Sequence, residues 1–179
     1  VACRLVTVDP AGSGNVNDTY VAIVRTVFSE ERFILQRINQ RVFPRPELIM
    51  ENMRLVTTHA HRRIEAEADH SDRIWQLPRV IPTKDGGDLA IDGDGGCWRA
   101  ISLIASAHSH EQVQGVEHAY EAGYVLGHFQ RLISDIPCER LHDTLVGFHI
   151  TPNYLEKYDT ARQTEEGQKR MGASWEAQF

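Results

Sequence analysis

The sequence predicts an α+β protein, with a mixed antiparallel-sheet lobe over residues 1–105 followed by the first helices of a helical lobe over residues 106–179. Three observations predict it. Runs rich in β-branched and aromatic residues alternate with Gly, Pro and Asp turn signals through the first hundred residues. One helical repeat interrupts them after Pro44 and Pro46. From Glu111 onward the apolar period changes from two to between three and four.

Leu5, Val6 and Val8 form the first apolar run, ended by Asp9-Pro10-Ala11-Gly12-Ser13-Gly14. Thr19 to Phe28 and Phe33 to Ile38 are the next two strand candidates, joined by the charged link Ser29-Glu30-Glu31-Arg32. A helix is expected from about Glu47, because proline is tolerated at a first helical position, where its missing N–H has no partner to lose. Ile49, Met53, Val56, Ala60 and Ile64 then fall on one face, with the Arg62-Arg63 side toward water.

Arg79–Lys84 and Asp88–Ile91 read as a hairpin closed by Asp85-Gly86-Gly87. Asp92-Gly93-Asp94-Gly95-Gly96 turns the chain into a last strand, Cys97–Ala105. Ala119, Ala122, Leu126, Phe129 and Ile133 predict an amphipathic helix, with Gly123 and Gly127 four apart for close helix packing. Pro137 ends it, and a final helical stretch begins near Tyr154.

Composition narrows the function classes. Lys and Arg total 19 and Asp and Glu 25, a balance of −6, with 41% hydrophobic and 25% charged residues. That charge offers no general attraction to nucleic acid or anionic lipid. No apolar run is long enough to span a bilayer, so no membrane partner is expected. Cys3, Cys97 and Cys138 are odd in number, far apart and without a C-x-x-C pair, which fits a reducing, cytoplasmic setting.

The chemistry-bearing segment is Gly12-Ser13-Gly14-Asn15-Val16-Asn17-Asp18-Thr19-Tyr20, between two strands. Small residues let backbone N–H groups approach oxygen anions, and Asn17 and Thr19 add side-chain donors. It is not a Walker loop, since no Gly-Lys-Ser/Thr follows and no helix opens behind the glycines. Alternation along Phe33–Ile38 puts Phe33, Leu35 and Arg37 on one face, where Arg37 is a candidate phosphate cation. Glu47 and Glu51 of the following helix both stand as carboxylates that could orient it, with Glu51 preferred.

In this order the parts resemble the aminoglycoside phosphotransferase and choline kinase-like family of protein-kinase-like small-molecule kinases, in its N-terminal portion. The resemblance is nearest to the N-acetylhexosamine 1-kinase branch. It runs through Gly12–Tyr20, Ile34-Leu35-Gln36-Arg37-Ile38-Asn39, Val42-Phe43, Met50-Glu51-Asn52, Trp98-Arg99 and Gly147-Phe148-His149, over nearly all of the chain.

The resemblance implies a protein-kinase-like fold with ATP and Mg2+ as cofactors. Gly12, Ser13, Gly14, Asn17 and Thr19 would lie at the phosphates with Arg37 and Glu51, and adenine would contact the backbone near Leu103, Ile104 and Ala105. The implied reaction moves the γ-phosphoryl group to a small sugar, at the anomeric hydroxyl of an N-acetylhexosamine.

The family's His-x-Asp loop with an Asn five residues on is not found. His142-Asp143-Thr144 has its Asp one place early, and Phe148 and His149 stand where the Asn is needed. The expectation is a chain without catalytic or metal-binding residues, ending upstream of that loop and inactive alone.

A nucleotide-binding or interaction module without catalysis is the non-enzymatic alternative. A histidine metal site built on His108-Ser109-His110 with His118 or His128 is a further alternative, although its spacing fits no common zinc pattern. Asp92–Gly96 resembles half a calcium loop, but position twelve is Leu103, so it reads as a turn. Cys97 beside Trp98 reads as a buried thiol rather than a nucleophile.

Overall fold

The computed structural model describes residues 4–12, 14–67, 73–108 and 110–171. The chain divides into two compact units, Val1–Thr144 and Leu145–Phe179. The first is α+β, and its strands are β1 (Arg4–Pro10), β2 (Asp18–Arg25), β3 (Glu30–Ile38), β4 (Val80–Ile81), β5 (Ala90–Ile91) and β6 (Cys97–Ser102). All pairings are antiparallel, in the order β1-β2-β3-β6-β4, with β5 also paired to β6.

The β2–β3 connection is tighter than the sequence suggests. The turn closes over Thr26–Ser29, where Thr26 N donates to the Ser29 carbonyl at 2.8 Å and the Thr26 hydroxyl accepts from Ser29 N at 2.9 Å. The expected charged link therefore lies largely inside β3. Its residues tolerate the strand because they are exposed and pair with each other, Arg25 to Glu30 at 3.1 Å and Arg32 to Glu30 at 3.8 Å.

The 79–91 segment is also rearranged. β4 and β5 do not form a hairpin with each other. Val80 and Ile81 pair with Ile101 and Ala100, and Ala90 and Ile91 pair with Trp98 and Cys97, so both follow β6 in one direction. The Asp85-Gly86-Gly87 turn exists, closed by Thr83 N to the Gly87 carbonyl at 2.8 Å, but it serves a sideways excursion that rejoins the same strand. Arg54 of the helix holds the foot of this excursion through Asp88. The expected last strand ends at Ser102, and Ser106 turns the chain with φ 59°.

Helix α1 (Pro46–Ala66) begins with Pro46 in its first turn, where Glu47 favours the positive end of the helix dipole. Its buried stripe is Pro46, Met50 and Ala60, with Ile49 and Met53 half-buried beside it. Met50 packs with Ile38 and Cys97, which places α1 on the sheet face carrying Ile38. Burying a side chain such as Met50 contributes about 1.5–3 kcal/mol. Arg62 is exposed as expected, but Arg63 is half-buried and paired with Glu67 at 2.7 Å and Asp135 at 3.0 Å.

Helix α2 (Val116–Ile133) packs on α1, and its predicted face is covered only in its last turns. Leu132 is buried, Phe129 and Ile133 are half-buried, but Ala119, Ala122 and Leu126 are exposed. Tyr124 and His128, four apart, make a second contact, with the segment before β4. Trp75 stacks on His128 at 3.7 Å and the Arg73 guanidinium lies 4.2 Å from the Tyr124 ring centre. Aromatic residues with polar tips do not register in an aliphatic periodicity, yet here they make the contact. His59 to Asp135 at 2.8 Å and Arg131 to Glu67 at 2.6 Å complete the junction. The bonded His59 holds the Asp135 carboxyl below its ordinary range, and Arg131 with Arg63 does the same for Glu67.

The second unit holds α3 (Thr151–Arg162), with Pro152 in its first turn, and α4 (Glu165–Met171). Among the described residues no helix is long and apolar enough to cross a membrane.

Candidate functional site

Residues 11–17 join β1 to β2, and Ala11 N donates to the Thr19 carbonyl at 2.8 Å to close the loop. Gly12 has φ +80°, the left-handed region where a side chain is strained, and nothing lies within 4 Å of a Cβ built on Gly14. Ser13 lies outside the described residues. Asn17 anchors the loop, its Oδ1 accepting from Asn39 N at 3.0 Å just after β3. Thr19 faces inward, accepting from Gln36 Nε2 at 2.9 Å.

Arg37 is opposite Asp18 of β2 on one side and Trp98 of β6 on the other. It borders a cavity of about 390 Å³ with Val16, Asp18, Ile38, Asn39, Gln40 and Arg41. Of the described loop residues only Val16 borders this cavity; Gly12, Gly14, Asn17 and Thr19 do not, and Thr19, opposite Gln36, lies on the sheet face away from Arg37.

The expected helix partner is not there. Arg37 shares its face with Trp98, while α1 covers the opposite face through Ile38. Glu51 bonds His142 Nε2 at 2.7 Å, and Glu47 bonds Arg45 Nε at 2.9 Å. The carboxylate facing Arg37 is Asp92, which sequence reasoning treated only as a turn residue. A Cβ added at Gly96 would meet Asp92 Oδ2 at 2.6 Å and Arg37 Nε at 2.8 Å, so both side chains converge on that glycine. Asp92 accepts from Trp98 Nε1 at 2.7 Å and from the backbone N–H groups of Gly96 at 2.7 Å and Asp94 at 3.0 Å. The Trp98 bond first, then the Gly96 amide, hold its carboxyl below the usual range, with the Arg37 charge a smaller cause.

The cation on the α1 face is Arg99, opposite Gln36. Its Nε and Nη2 donate to Gln36 Oε1 at 2.9 and 2.8 Å, and Nη1 lies 3.6 Å from Met53 Sδ. Burial pulls its guanidinium below the ordinary arginine range. Period-two alternation from Cys97, which is buried as expected, was the available signal for this orientation.

Leu103 and Ile104 border a different cavity, with His61, Ile64, Trp75 and Leu77, and Ala105 is exposed. From Trp98, opposite Arg37, to Leu103 is five residues, about 16 Å along a strand. Of the described candidate phosphate residues Arg37 borders one cavity, while Leu103 and Ile104 of the adenine candidates border another. His110 and His118 meet edge to face at 4.9 Å, and among the described residues no three His, Cys, Asp or Glu side chains converge as a metal site. No protein-family model matches the sequence.

Proposed function

We propose that this chain is the nucleotide-binding part of an ATP- and Mg2+-dependent phosphotransferase that acts on a small sugar of the N-acetylhexosamine type. The observation that carries the reading is the cavity that Arg37 borders with Val16 and Asp18, at the end of the glycine loop. A guanidinium at a cavity next to a glycine turn suits a triphosphate, since phosphoryl transfer depends on positioning and charge neutralisation. The order of parts supports it as well: loop, Arg37 strand, proline-started helix, then β6 and helices.

The proposed site departs from the sequence expectation at several positions: Thr19 bonds Gln36 on the α1 face, and Leu103 and Ile104 border another cavity. Arg37 works beside Asp92 rather than beside a helix glutamate, and Glu51 takes a structural role through His142. On this reading the part played by these residues is to hold the nucleotide; no His-x-Asp loop with its Asn occurs among the 179.

The test is ATP consumption by the complete gene product with N-acetylhexosamines and Mg2+, beside its Arg37→Ala variant. The reading expects sugar-dependent ATP consumption, and a raised KM for ATP in Arg37→Ala with an unchanged melting temperature. Failure to consume ATP with any such sugar, or unchanged nucleotide kinetics in the variant, overturns it. Saturable nucleotide binding without transfer by the complete product would instead favour the binding-module alternative.

A further inference from the structure

Away from the flap cavity, the side of α1 that faces β4 carries Arg54, Thr58, His61, Arg62 and Glu65 at helical spacing, and Arg79 answers from the start of β4. Together they border a groove of about 320 Å³. Its charges are unequal. Arg54 is committed to Asp88. Arg79 meets Glu65 only at 3.4 Å, with 61% and 69% of the two side chains exposed. Arg62 has no ion-pair partner among the described residues. Three guanidiniums against two carboxylates leave one cation unmatched, and a second held by a weak surface contact.

This groove continues into a second cavity of similar size that shares His61, Glu65 and Arg79 with it and adds Trp75, Leu77, Leu103 and Ile104. The Glu65–Arg79 contact sits where the two meet. His61, whose ring borders both, has a buried Nε2 with no hydrogen-bond partner, an uncommon condition in a folded protein.

We infer that this composite groove binds the phosphate monoester of a small molecule with a flat, apolar body. The phosphate lies between Arg62 and Arg79, displacing the Glu65 carboxylate, and the body rests on Trp75, Leu103 and Ile104. Guanidiniums suit a tetrahedral oxyanion because they present paired N–H groups, and a carboxylate that must give way makes binding selective for a stronger anion. The site shares Leu103 and Ile104 with the residues that the resemblance assigns to adenine, but none of its residues borders the Arg37 cavity.

The test titrates inorganic phosphate and phenyl phosphate into the full 179-residue chain in chloride buffer. Calorimetry gives affinity, and NMR of arginine Nε–H and His61 ring signals gives location. Expected results are saturable binding of both, tighter for phenyl phosphate, with Arg62 and Arg79 signals moving first. Arg62→Gln and Arg79→Gln each weaken binding roughly tenfold, the loss of one charge-assisted contact. Glu65→Gln tightens it. The inference is overturned by absence of saturable binding, by Arg37 or Arg41 signals moving in place of Arg62 and Arg79, by unchanged affinity in the two glutamine variants, or by phenyl phosphate binding no better than phosphate.

Discussion

The imidazole of His142 lies 2.7 Å from the Glu51 carboxylate, a contact spanning 91 residues of sequence. Asn52 beside it grips the His142 backbone from both sides, accepting its N–H and donating to its carbonyl, each at 2.8 Å. Three bonds from adjacent helix residues thus pin the segment after α2 to the first turns of α1. Asn52→Ala removes two of them and should destabilise the first unit by about 1–2 kcal/mol, while Glu51→Gln should cost under about 1 kcal/mol because its contact is exposed. Urea unfolding of each variant measures this, and equal costs would refute the ranking.

Arg99 should behave as a buried cation whose partner is an amide rather than a carboxylate. Arg99→Met keeps the bulk against Met50 and Met53 but strands Gln36 Oε1, so it should destabilise by about 1–2 kcal/mol. Adding Gln36→Leu removes the stranded oxygen but also the bond from Gln36 Nε2 to the Thr19 hydroxyl, so it should recover only part of that loss. A double-mutant cycle in urea checks the sign, and a double variant weaker than Arg99→Met alone would contradict it.

Asp92 sets the acid limb of stability at the Arg37 end of the sheet. Its carboxyl titrates lower in the folded chain than in the unfolded one, owing first to the Trp98 indole and then to the Gly96 amide. Its contribution is therefore present above the unfolded carboxyl range and lost as pH falls through the lower folded value. Asp92→Asn should flatten the decline of the urea midpoint between about pH 5 and pH 2 relative to wild type. Gly96→Ala should act similarly, since its Cβ would meet Asp92 Oδ2 at 2.6 Å and force it from Trp98. A wild-type slope in Asp92→Asn would remove this carboxylate from the acid response.

Strand sites were legible in the sequence where one face is apolar and the other polar. The alternation from Phe33 to Ile38 placed Arg37 correctly on the face of Leu35, and the Gly12 turn fell between two paired strands. What could not be read was which face the helix would cover. Arg37 and Arg99 each precede an apolar residue, Ile38 and Ala100, and only the burial of Ile38, Met50 and Cys97 together decides that Arg99 meets α1. The 79–91 segment misled for a related reason. A Gly-Gly turn signals reversal, and Thr83 does close it on Gly87, but Asp88 is tied to Arg54 of α1 and both short strands find β6. The second contact of α2 was missed because it is made by Trp75, Tyr124 and His128, with Leu132 the helix's lone buried aliphatic side chain.

Gly123 and Gly127 give the last prediction, and its sign is informative. Both lie inside α2, where glycine costs about 0.5–1 kcal/mol relative to alanine. Their spacing predicts a closely packed helix neighbour, yet a Cβ added at either meets nothing within 4 Å, and Val125 and Leu126 beside them are 50% and 58% exposed. In this chain Gly123→Ala and Gly127→Ala should therefore each raise stability by about 0.5–1 kcal/mol, through lower entropy of the unfolded chain. Thermal melts of both variants beside the wild-type 179-residue protein measure this. A loss in the 179-residue chain itself would contradict the open face.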